Sequence, residues 1–366
     1  MTKSAGQLKA AIVGCGKIAD GHVEEIQKLN NATVAAVCDR EMLMAEQLAA
    51  RYGIAAHYED FGRMLREIRP DVVHITTPPQ SHLALAKQAI EAGCHAYVEK
   101  PFTVNMREAK ELIASAESAN RKVTVGHSFA YDPISLGMRR LIEKGVVGEP
   151  VHVECYLGYN LSGPFGSALL GDAGHWVHRL PGKLFQNNLD HVLHKIMEFI
   201  PDENPYVHAL GFVRREGRFG DGRDDMPDEL RVLIAGRKTT GYATFSSHAM
   251  PVRHFMRLYG TKNTLSLDYV ARTIALDQAE KYPSAIGRLL PAFASSKEYF
   301  REGVRNVFRF ARSDFQFFAG MQELFRRFYR SILEDTPPPI PYAEIIRIGV
   351  VMDEIISQVE KGGPRT

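Results

Sequence analysis

The chain has 366 residues, more than one compact core usually holds, so its length predicts two domains and excludes a single small module. Its 45 Lys and Arg residues against 43 Asp and Glu residues give a formal net charge of +2. A charge this small lacks the concentrated positive field that nucleic-acid binding requires. Hydrophobic residues at 45% and charged residues at 24% are ordinary globular values and exclude a disordered or fibrous chain.

The cysteines and the early part of the chain give no sign of export or of a membrane span. Cys15, Cys38, Cys94 and Cys155 lie far apart without a Cys-x-x-Cys pair, as is usual for reduced thiols. The early apolar run Ala10–Val13 is too short for a signal peptide, and no stretch reaches the roughly eighteen uncharged residues of a membrane span. These patterns favour a cytoplasmic protein.

Strand and helix patterns alternate along the first third of the chain. The predicted strands are Lys9–Val13, Thr33–Asp39, Asp71–Ile75, His95–Glu99 and Val123–Val125. The predicted helices are Asp20–Leu29, Glu41–Tyr52, His82–Ala92 and a helix from the capping pair Asn105 and Glu108 to Asn120. The two prolines of Thr76–Ser81 should exclude both a helix and a strand there. This alternation predicts an α/β fold with a doubly wound parallel sheet.

The pattern changes to a period of two residues from Glu149 onward. Val151, Val153, Cys155 and Leu157 alternate with polar or aromatic residues, which predicts a strand of an antiparallel sheet. Two hairpins are predicted, one from Arg231–Ala235 and Gly241–Phe245 and one from Phe255–Tyr259 and Thr264–Leu267. Helical spacing recurs in Leu189–Ile200, Ser296–Arg312, Gln322–Leu333 and Ala343–Glu360.

The segment Gly14-x-Gly16-x-x-Ala19 matches the dinucleotide-binding fingerprint. The first glycine allows the tight turn, the second lets a pyrophosphate approach the backbone, and the small third residue packs the helix on the strand. Asp39 ends the next strand, twenty residues after Ala19, where a carboxylate can accept the ribose hydroxyls and repel a 2′-phosphate. The pattern predicts NAD as cofactor, although Arg40 could stack on adenine or admit NADP.

Three segments resemble the signatures of the glucose–fructose oxidoreductase/inositol dehydrogenase/MocA (Gfo/Idh/MocA) family: Gly14-Cys-Gly-Lys-Ile-Ala19, Thr76-Thr-Pro-Pro-Gln-Ser-His82 and Glu99-Lys-Pro101. The resemblance implies an NAD(P)-binding Rossmann domain over 1–126. It further implies a substrate and oligomerisation domain over 127–366 with an open, mostly antiparallel sheet, and a C-terminal helix (343–360) that can pack back near the first domain. The cofactor-binding residues expected from these motifs are Gly14, Gly16, Lys17, Ile18, Asp39, Arg40, Thr76, Thr77, Pro78, His82, Glu99 and Lys100.

Family members are mostly NAD(P)-dependent dehydrogenases of sugars or cyclitols, so the resemblance implies hydride transfer between nicotinamide and a secondary hydroxyl or ketone of a sugar, nucleotide sugar or cyclitol. Lys100 follows a strand end, where an open parallel sheet presents groups to a ligand, and in the family the matching lysine handles the hydroxyl proton. The family's catalytic histidine aligns with His191. Asn187 stands at its usual aspartate and should orient the substrate, because an amide cannot take a proton. The expected substrate residues are Asn187, His194, His175, Trp176 and Tyr131.

Several alternatives remain open. Trp176 and its neighbours could form a substrate loop, with the ring stacked on a sugar, or Trp176 could instead fill the core. The pairs His175/His178 and His191/His194 could ligate a metal in a metal-dependent hydrolase. Transient oxidation by bound NAD could serve a glycosidase or epimerase without net redox chemistry. A nucleotide-sensing regulator without turnover is a fourth reading.

The stretch 288–330 combines nine basic and four acidic residues with aromatic side chains at loosely helical spacing. This composition is compatible with docking on an anionic membrane surface or with binding a phosphorylated substrate. An ordinary solvated helix packed on the sheet would have the same composition. The open sheet expected for the second domain leaves one face uncovered, which predicts a homo-oligomer.

Overall fold

The computed structural model describes residues 7–172, 174–214, 226–278, 283–311 and 319–362. The chain divides into two compact units. The first contains Met1–Tyr131 and Phe318–Gly349, and the second contains Asp132–Phe317 and Val350–Thr366. The first unit therefore extends a few residues past the predicted boundary at 126 and includes a segment from late in the chain.

The first unit is built on a parallel sheet of six strands. Its elements are the strands β1 (Leu8–Val13), β2 (Ala32–Cys38), β3 (His57–Tyr58), β4 (Val72–Ile75), β5 (His95–Val98) and β6 (Val123–Val125) and the helices α1 (Lys17–Gln27), α2 (Met42–Tyr52), α3 (Phe61–Ile68), α4 (His82–Glu91) and α5 (Met106–Ser118). The strand order is β3-β2-β1-β4-β5-β6, so the order reverses between β1 and β4. In such sheets, ligands bind at the carboxyl ends of the strands at this reversal.

Every predicted strand and helix of this region is present, with bounds shifted by a few residues. The capping prediction for α5 is confirmed, because the Asn105 side chain accepts a hydrogen bond from the Glu108 amide, and Glu108 accepts one from the Val104 amide. The sequence patterns missed β3 and α3. The exclusion of any helix from Thr76–Ser81 was wrong: Pro79–Ser81 forms one 3-10 turn, in which Pro79 stands at a first position that needs no N–H donor.

The second unit is built on a mixed sheet of seven strands. Its elements are α6 (Pro133–Glu143), β7 (Pro150–Gly158), α7 (Pro164–Gly171), α8 (Lys183–Met197), β8 (Tyr206–Phe212), β9 (Glu229–Ala235), β10 (Thr240–Ser246), β11 (His254–Gly260), β12 (Asn263–Asp268), β13 (Thr273–Gln278) and α9 (Ser284–Ala311). The sheet order is β13-β12-β11-β7-β10-β9-β8. Both predicted hairpins form. Among the described strands of this second sheet, only β7 and β10 pair in parallel, so the sheet is mostly antiparallel.

Helix α8 packs on β7 and β10 and covers one face of this sheet. On β7, Val153, Cys155 and Leu157 are buried as predicted, whereas Val151 near the strand's start is exposed. Residues that alternate with them, such as Tyr156, are only partly buried.

Two helices complete the chain, α10 (Ala319–Leu333) and α11 (Tyr342–Gly362). α10 belongs to the first unit, and the residues of α11 are divided between the two units at Gly349. None of the helices in the described ranges combines the length and the apolar character needed to cross a membrane.

Candidate active site

The fingerprint turn after β1 packs tightly against the segment after β4. Gly14 has a φ of +96°, which favours glycine, and a Cβ there would lie 2.7 Å from the Thr77 backbone nitrogen. The Thr76 hydroxyl donates to the carbonyls of Val13 (3.0 Å) and Gly14 (2.6 Å). The Thr77 hydroxyl is hydrogen-bonded to Ser81 at 2.7 Å. Two of the three signature segments therefore meet at the reversal of strand order.

Gly16 has an open environment, in contrast to Gly14. It is the N-cap of α1, no side chain caps this helix end, and a Cβ built on Gly16 would meet no atom within 4 Å. The first amides of α1 and this open space fit a pyrophosphate, which helix N-termini bind through their amides and dipole. Among the flanking residues, the Lys17 side chain is exposed and Ile18 is partly buried.

Asp39 lies next to this turn. Its carboxylate accepts hydrogen bonds from the amides of Cys15 (2.7 Å) and Glu41 (3.0 Å), which fix its position after β2. The remaining lone pairs of a carboxylate can accept hydrogen bonds from ribose hydroxyls. Arg40 extends into solvent, with its side chain 91% exposed. The predicted cofactor residues of β1, β2 and β4 are therefore brought to one edge of the sheet, in an arrangement that fits a dinucleotide.

His82 has a different position from the one expected of a cofactor-binding residue. It is fully buried, and its ring nitrogens are hydrogen-bonded to the carbonyls of Thr77 (2.8 Å) and Pro101 (3.0 Å). Burial lowers the pKa of His82, against the opposing effect of its carbonyl partners. The side chain thus links the segment after β4 to the segment after β5, while Pro78 is exposed beside it. The ring of His82 therefore connects two of the cofactor segments, and its assignment as a cofactor-binding residue stays a prediction.

Glu99 and Lys100 follow β5 at the same edge of the sheet. Glu99 is 8% exposed, and its carboxylate accepts hydrogen bonds from the His22 ring (3.0 Å) and from the Lys100 amide (3.1 Å). Burial alone would raise the pKa of Glu99, but the hydrogen bond from His22 and the nearby charge of Lys100 lower it below its ordinary value. The carboxylate therefore stays ionised and holds the backbone of Lys100, whose side chain is partly exposed.

A buried chain of hydrogen bonds continues from Glu99 into the core of the first unit. His22 Nδ1 lies 2.9 Å from His74 Nδ1, and His74 Nε2 lies 2.7 Å from the Tyr329 hydroxyl. Burial, together with His22, lowers the pKa of His74 well below its usual range, so this ring is neutral. A consistent set of donors then runs from the Tyr329 hydroxyl to His74, from His74 to His22 and from His22 to Glu99.

The sequence patterns missed this chain. Its signals were the histidines themselves: His22 in the first helix after the fingerprint and His74 inside an apolar strand. Neither suggests a partner as distant in sequence as Tyr329.

In the second unit, α8 carries the predicted substrate residues. Asn187, His191 and His194 are separated by four and three residues and so lie on one side of the helix. Asn187 and His194 are buried, whereas His191 is partly exposed among buried neighbours. His191 is therefore the one of these three side chains best placed to meet a ligand.

Lys195, which the sequence patterns missed, lies buried on the same helix. Its ammonium donates to the carbonyl of His191, lies 3.2 Å from His254 Nε2 and sits 4.6 Å from the centroid of the Tyr269 ring. Burial lowers the pKa of Lys195 to about 8 and that of His254 well below its usual range. A lysine on an otherwise apolar helical face gave no signal of this environment in the sequence.

The loop with Trp176 does not use tryptophan to fill the core. Val177 is fully buried, while Trp176 is partly exposed beside His175, with ring centroids 5.4 Å apart. His178 donates to the carbonyl of Leu169 at 2.9 Å and ties the loop to α7. The exposed aromatic ring leaves the substrate-loop interpretation available.

Tyr131 has a structural place in the first unit. It is 9% exposed, its hydroxyl donates to the carbonyl of Pro339, and the Arg327 guanidinium lies 5.1 Å from its ring centroid. Both the ring and the hydroxyl are engaged within the first unit, and the substrate contact expected of Tyr131 stays a prediction.

No group of three or more His, Cys, Asp or Glu side chains in the described ranges is arranged to hold a metal ion. The four histidines of the two predicted pairs, His175, His178, His191 and His194, lie within these ranges. One ring nitrogen of His178 is hydrogen-bonded to the carbonyl of Leu169.

The strand order, the fingerprint turn and the acidic residue after β2 define the first unit as a dinucleotide-binding Rossmann domain. Residues 8–127 match the family model GFO_IDH_MocA, described as an oxidoreductase family with an NAD-binding Rossmann fold. Over these residues the first unit is therefore similar to the Gfo/Idh/MocA oxidoreductase family, which is the resemblance that its motifs predicted.

The chain is similar to the D-glucoside 3-dehydrogenase of Escherichia coli (strain K12), with 34% identity over 149 residues. That alignment covers 40% of this chain and 42% of the relative. The chain thus spans about two fifths of the length of the curated relatives it matches.

Solved structures match over nearly the whole chain. An NAD-binding oxidoreductase from Klebsiella pneumoniae superimposes with a TM-score of 0.78 at 20% identity, covering 98% of each chain. The WlbA dehydrogenase from Bordetella pertussis, in complex with NADH and UDP-GlcNAcA, superimposes with a TM-score of 0.76 at 17% identity, covering 100% of this chain and 99% of that one. These likenesses show that both units share their fold with these solved structures.

Proposed function

We propose that this protein is an NAD-dependent dehydrogenase that oxidises a secondary hydroxyl of a sugar, nucleotide sugar or cyclitol, or reduces the corresponding ketone. The observation that carries the proposal is the fixed Glu99-Lys100 pair at the sheet edge where the Gly16 turn and Asp39 also lie. The substrate class is supported by the glucoside dehydrogenase activity of the Escherichia coli relative and by the nucleotide sugar bound to the Bordetella pertussis dehydrogenase.

In this proposal each residue has one task. Bound NAD supplies the acceptor for the hydride of the carbinol carbon. The amides at the start of α1 hold the pyrophosphate, and Asp39 holds the ribose hydroxyls and disfavours NADP. Lys100 takes the hydroxyl proton, and Glu99 keeps the Lys100 backbone in place.

We extend the proposal to the second unit, in which His191 also transfers the proton and Asn187 orients the substrate hydroxyl. His194 and the loop residues His175 and Trp176 contribute to the walls around the substrate. The partial exposure of His191 and Trp176 supports these assignments.

The test is a screen for NADH absorbance with free and nucleotide-linked sugars and cyclitols, followed by a comparison of variants. Lys100→Met should lower kcat on the order of 10²-fold or more, because it removes the general base, and leave the affinity for NADH nearly unchanged. Lys87→Met is the matched control, since Lys87 lies on the surface of α4 and pairs with Glu111. Undiminished turnover in Lys100→Met would exclude the catalytic assignment.

Cofactor binding is tested separately by calorimetry on two glycine variants. Gly16→Trp should abolish NAD binding and leave the melting temperature nearly unchanged, because a side chain there fills open space. Gly14→Ala should lower the melting temperature as well, because its Cβ meets the Thr76–Thr77 backbone at a positive φ. Failure of the wild-type protein to bind either NAD or NADP would refute the proposal at its first step.

We also propose a homo-oligomer that covers the face of the mixed sheet opposite α8. Tyr156 and Phe255 stack on this face with ring centroids 5.2 Å apart, and Leu233 is 40% exposed there. Apolar and aromatic surface of this kind is normally covered by a partner. Light scattering that gives the mass of a single chain at micromolar concentration would contradict this.

A further inference from the structure

Helix α9 turns its apolar side chains away from the sheet on which it lies. Phe293, Phe300 and Val307 are 68%, 76% and 67% exposed, and each follows the previous one by seven residues. Leu289 and Val304 extend the same side of the helix. A 28-residue helix is about 42 Å long, so these side chains form one long apolar stripe.

The opposite side of α9 is polar and faces the sheet of the second unit, to which the helix belongs. Glu302 is 1% exposed, and the Asn306 amide donates to the carbonyl of Ala271 at 2.8 Å, in the turn between β12 and β13. A helix of a soluble domain normally does the reverse, burying its apolar side and exposing its polar one. An apolar stripe of this length therefore indicates a partner surface.

Basic residues begin beside the stripe and continue around the helix. Lys297, Arg301, Arg305 and Arg309 follow one another at four-residue spacing, so Lys297 and Arg301 lie next to the stripe and Arg309 lies on the side toward the sheet, hydrogen-bonded to Asn306. The helix contains five basic and two acidic residues in all, and of the acidic ones Glu298 pairs with Arg301 and the buried Glu302 pairs with Arg305. The charge presented beside the apolar stripe is therefore positive.

We propose that α9 docks this protein on an anionic lipid bilayer, lying flat in the interface with its phenylalanines at the boundary between headgroups and acyl chains. Interfacial helices combine apolar side chains with flanking Lys and Arg, and basic residues near an anionic surface strengthen the binding. A second copy fits this face less well, because pairing α9 with itself would bring the two rows of basic residues together.

The experiment is flotation of the full-length protein with vesicles. Wild-type protein should float with vesicles of phosphatidylcholine mixed with phosphatidylglycerol, much less with phosphatidylcholine alone, and less as salt is raised. The double variant Phe293→Ser/Phe300→Ser should lower the partition coefficient about tenfold or more, because it removes two large apolar side chains from the interface. Leu43→Ser is the matched control, since Leu43 is 63% exposed on α2 and should leave binding unchanged.

Three results would overturn the proposal. One is wild-type protein that stays with the solution in the presence of anionic vesicles at low salt. Another is binding that the double variant retains in full. The third is a native mass, measured by light scattering, that the double variant halves, because a second copy would then cover the stripe. Melting temperatures equal to that of wild type show that both variants fold.

Discussion

Helices α9 and α10 have similar composition and opposite surroundings. Both combine aromatic with basic side chains, and both come from the basic stretch 288–330. In α10, Leu324, Phe325, Phe328 and Tyr329 are fully buried in the first unit. In α9, the corresponding aromatic residues are the most exposed part of the helix.

The two helices differ because they pack on different surfaces. α10 packs on a surface lined by aromatic residues and histidines. Phe325 lies edge-on to His74, with ring centroids 4.7 Å apart, and the Tyr329 hydroxyl donates to the His74 ring. α9 meets the turn between β12 and β13, where the Asn306 side chain donates to the carbonyls of Ala271 and Arg272. An amphipathic pattern thus predicts an apolar side, but the tertiary partner decides whether that side is covered.

The largest expected effect comes from truncating the covered side. Phe325→Ala should lower the free energy of unfolding by about 3–5 kcal/mol, because it leaves a cavity among three rings. Phe300→Ala, its counterpart on α9, should change the free energy by less than about 0.5 kcal/mol. Urea denaturation measures both. Similar losses in the two variants would show that α9 is covered within the single chain.

Much of the fold could be predicted because local signals agreed. The strand at Lys9–Val13, the glycine turn and the alternation along β7 each need only neighbouring residues to be recognised. β3 was missed because two residues have no period, and α3 because Phe61–Ile68 is short and rich in charged residues. The parallel pair β7–β10 depends on contacts nearly ninety residues apart, which no local pattern contains.

The part of the candidate site that could be predicted consists of residues next to recognisable strands. Gly14, Gly16, Asp39 and Lys100 follow strand ends, and the sheet brings such positions together. The ligand contacts of His82 and Tyr131 stay predictions, because sequence cannot distinguish a polar group that faces a ligand from one that is bonded only to a carbonyl. Lys195 and the chain from Tyr329 to Glu99 depend entirely on tertiary packing.

A smaller effect on stability is expected from removing the Tyr329 hydroxyl, which links α10 to Glu99 through His74 and His22. Tyr329→Phe should lower the free energy of unfolding by about 1–3 kcal/mol, because it leaves His74 Nε2 buried without its donor. Tyr299→Phe on α9 removes a hydroxyl from a side chain that is 53% exposed and should have no measurable effect. Thermal and urea unfolding of the two variants give the comparison, and an unaffected Tyr329→Phe would mean that the hydrogen bond contributes nothing net.

The same contact predicts a pH dependence. His74 faces His22, Tyr97 and Tyr329, and through His22 it is linked to Glu99. Because the folded pKa of His74 is lowered, its contribution to stability is complete above the unfolded value near 6.5 and is lost as pH falls below it. The stability of the wild-type protein should therefore fall between pH 7.5 and 5.5.

His74→Gln should therefore unfold more easily at neutral pH but show a shallower loss of stability between these two pH values. Phe300→Ala is the control, since α9 contains no histidine, and its pH slope should equal that of wild type. Equal slopes in His74→Gln and wild type would mean that His74 is protonated in the fold or titrates normally.

The smallest expected change in stability comes from breaking one ion pair on each of the two helices. In α10, burial raises the pKa of Glu323, but hydrogen bonds from Arg326 and Arg327, each at 2.6 Å, bring it below its ordinary value. In α9, Glu298 has one such partner, Arg301, whose side chain is 58% exposed. Both pairs are close to solvent, so Glu323→Gln should lower stability by less than about 1 kcal/mol and Glu298→Gln by about 0.3–0.5 kcal/mol.

The sign of the Glu323 effect can be checked by titration. A lowered folded pKa gives stability that is present above the unfolded value near 4.3 and is lost as pH falls through the folded pKa. The gap between wild type and Glu323→Gln should therefore narrow as acid is added and be absent once the carboxyl is protonated in both states. A gap that persists in acid would mean that the amide disturbs the packing of α10, in which case the variant would report burial rather than charge.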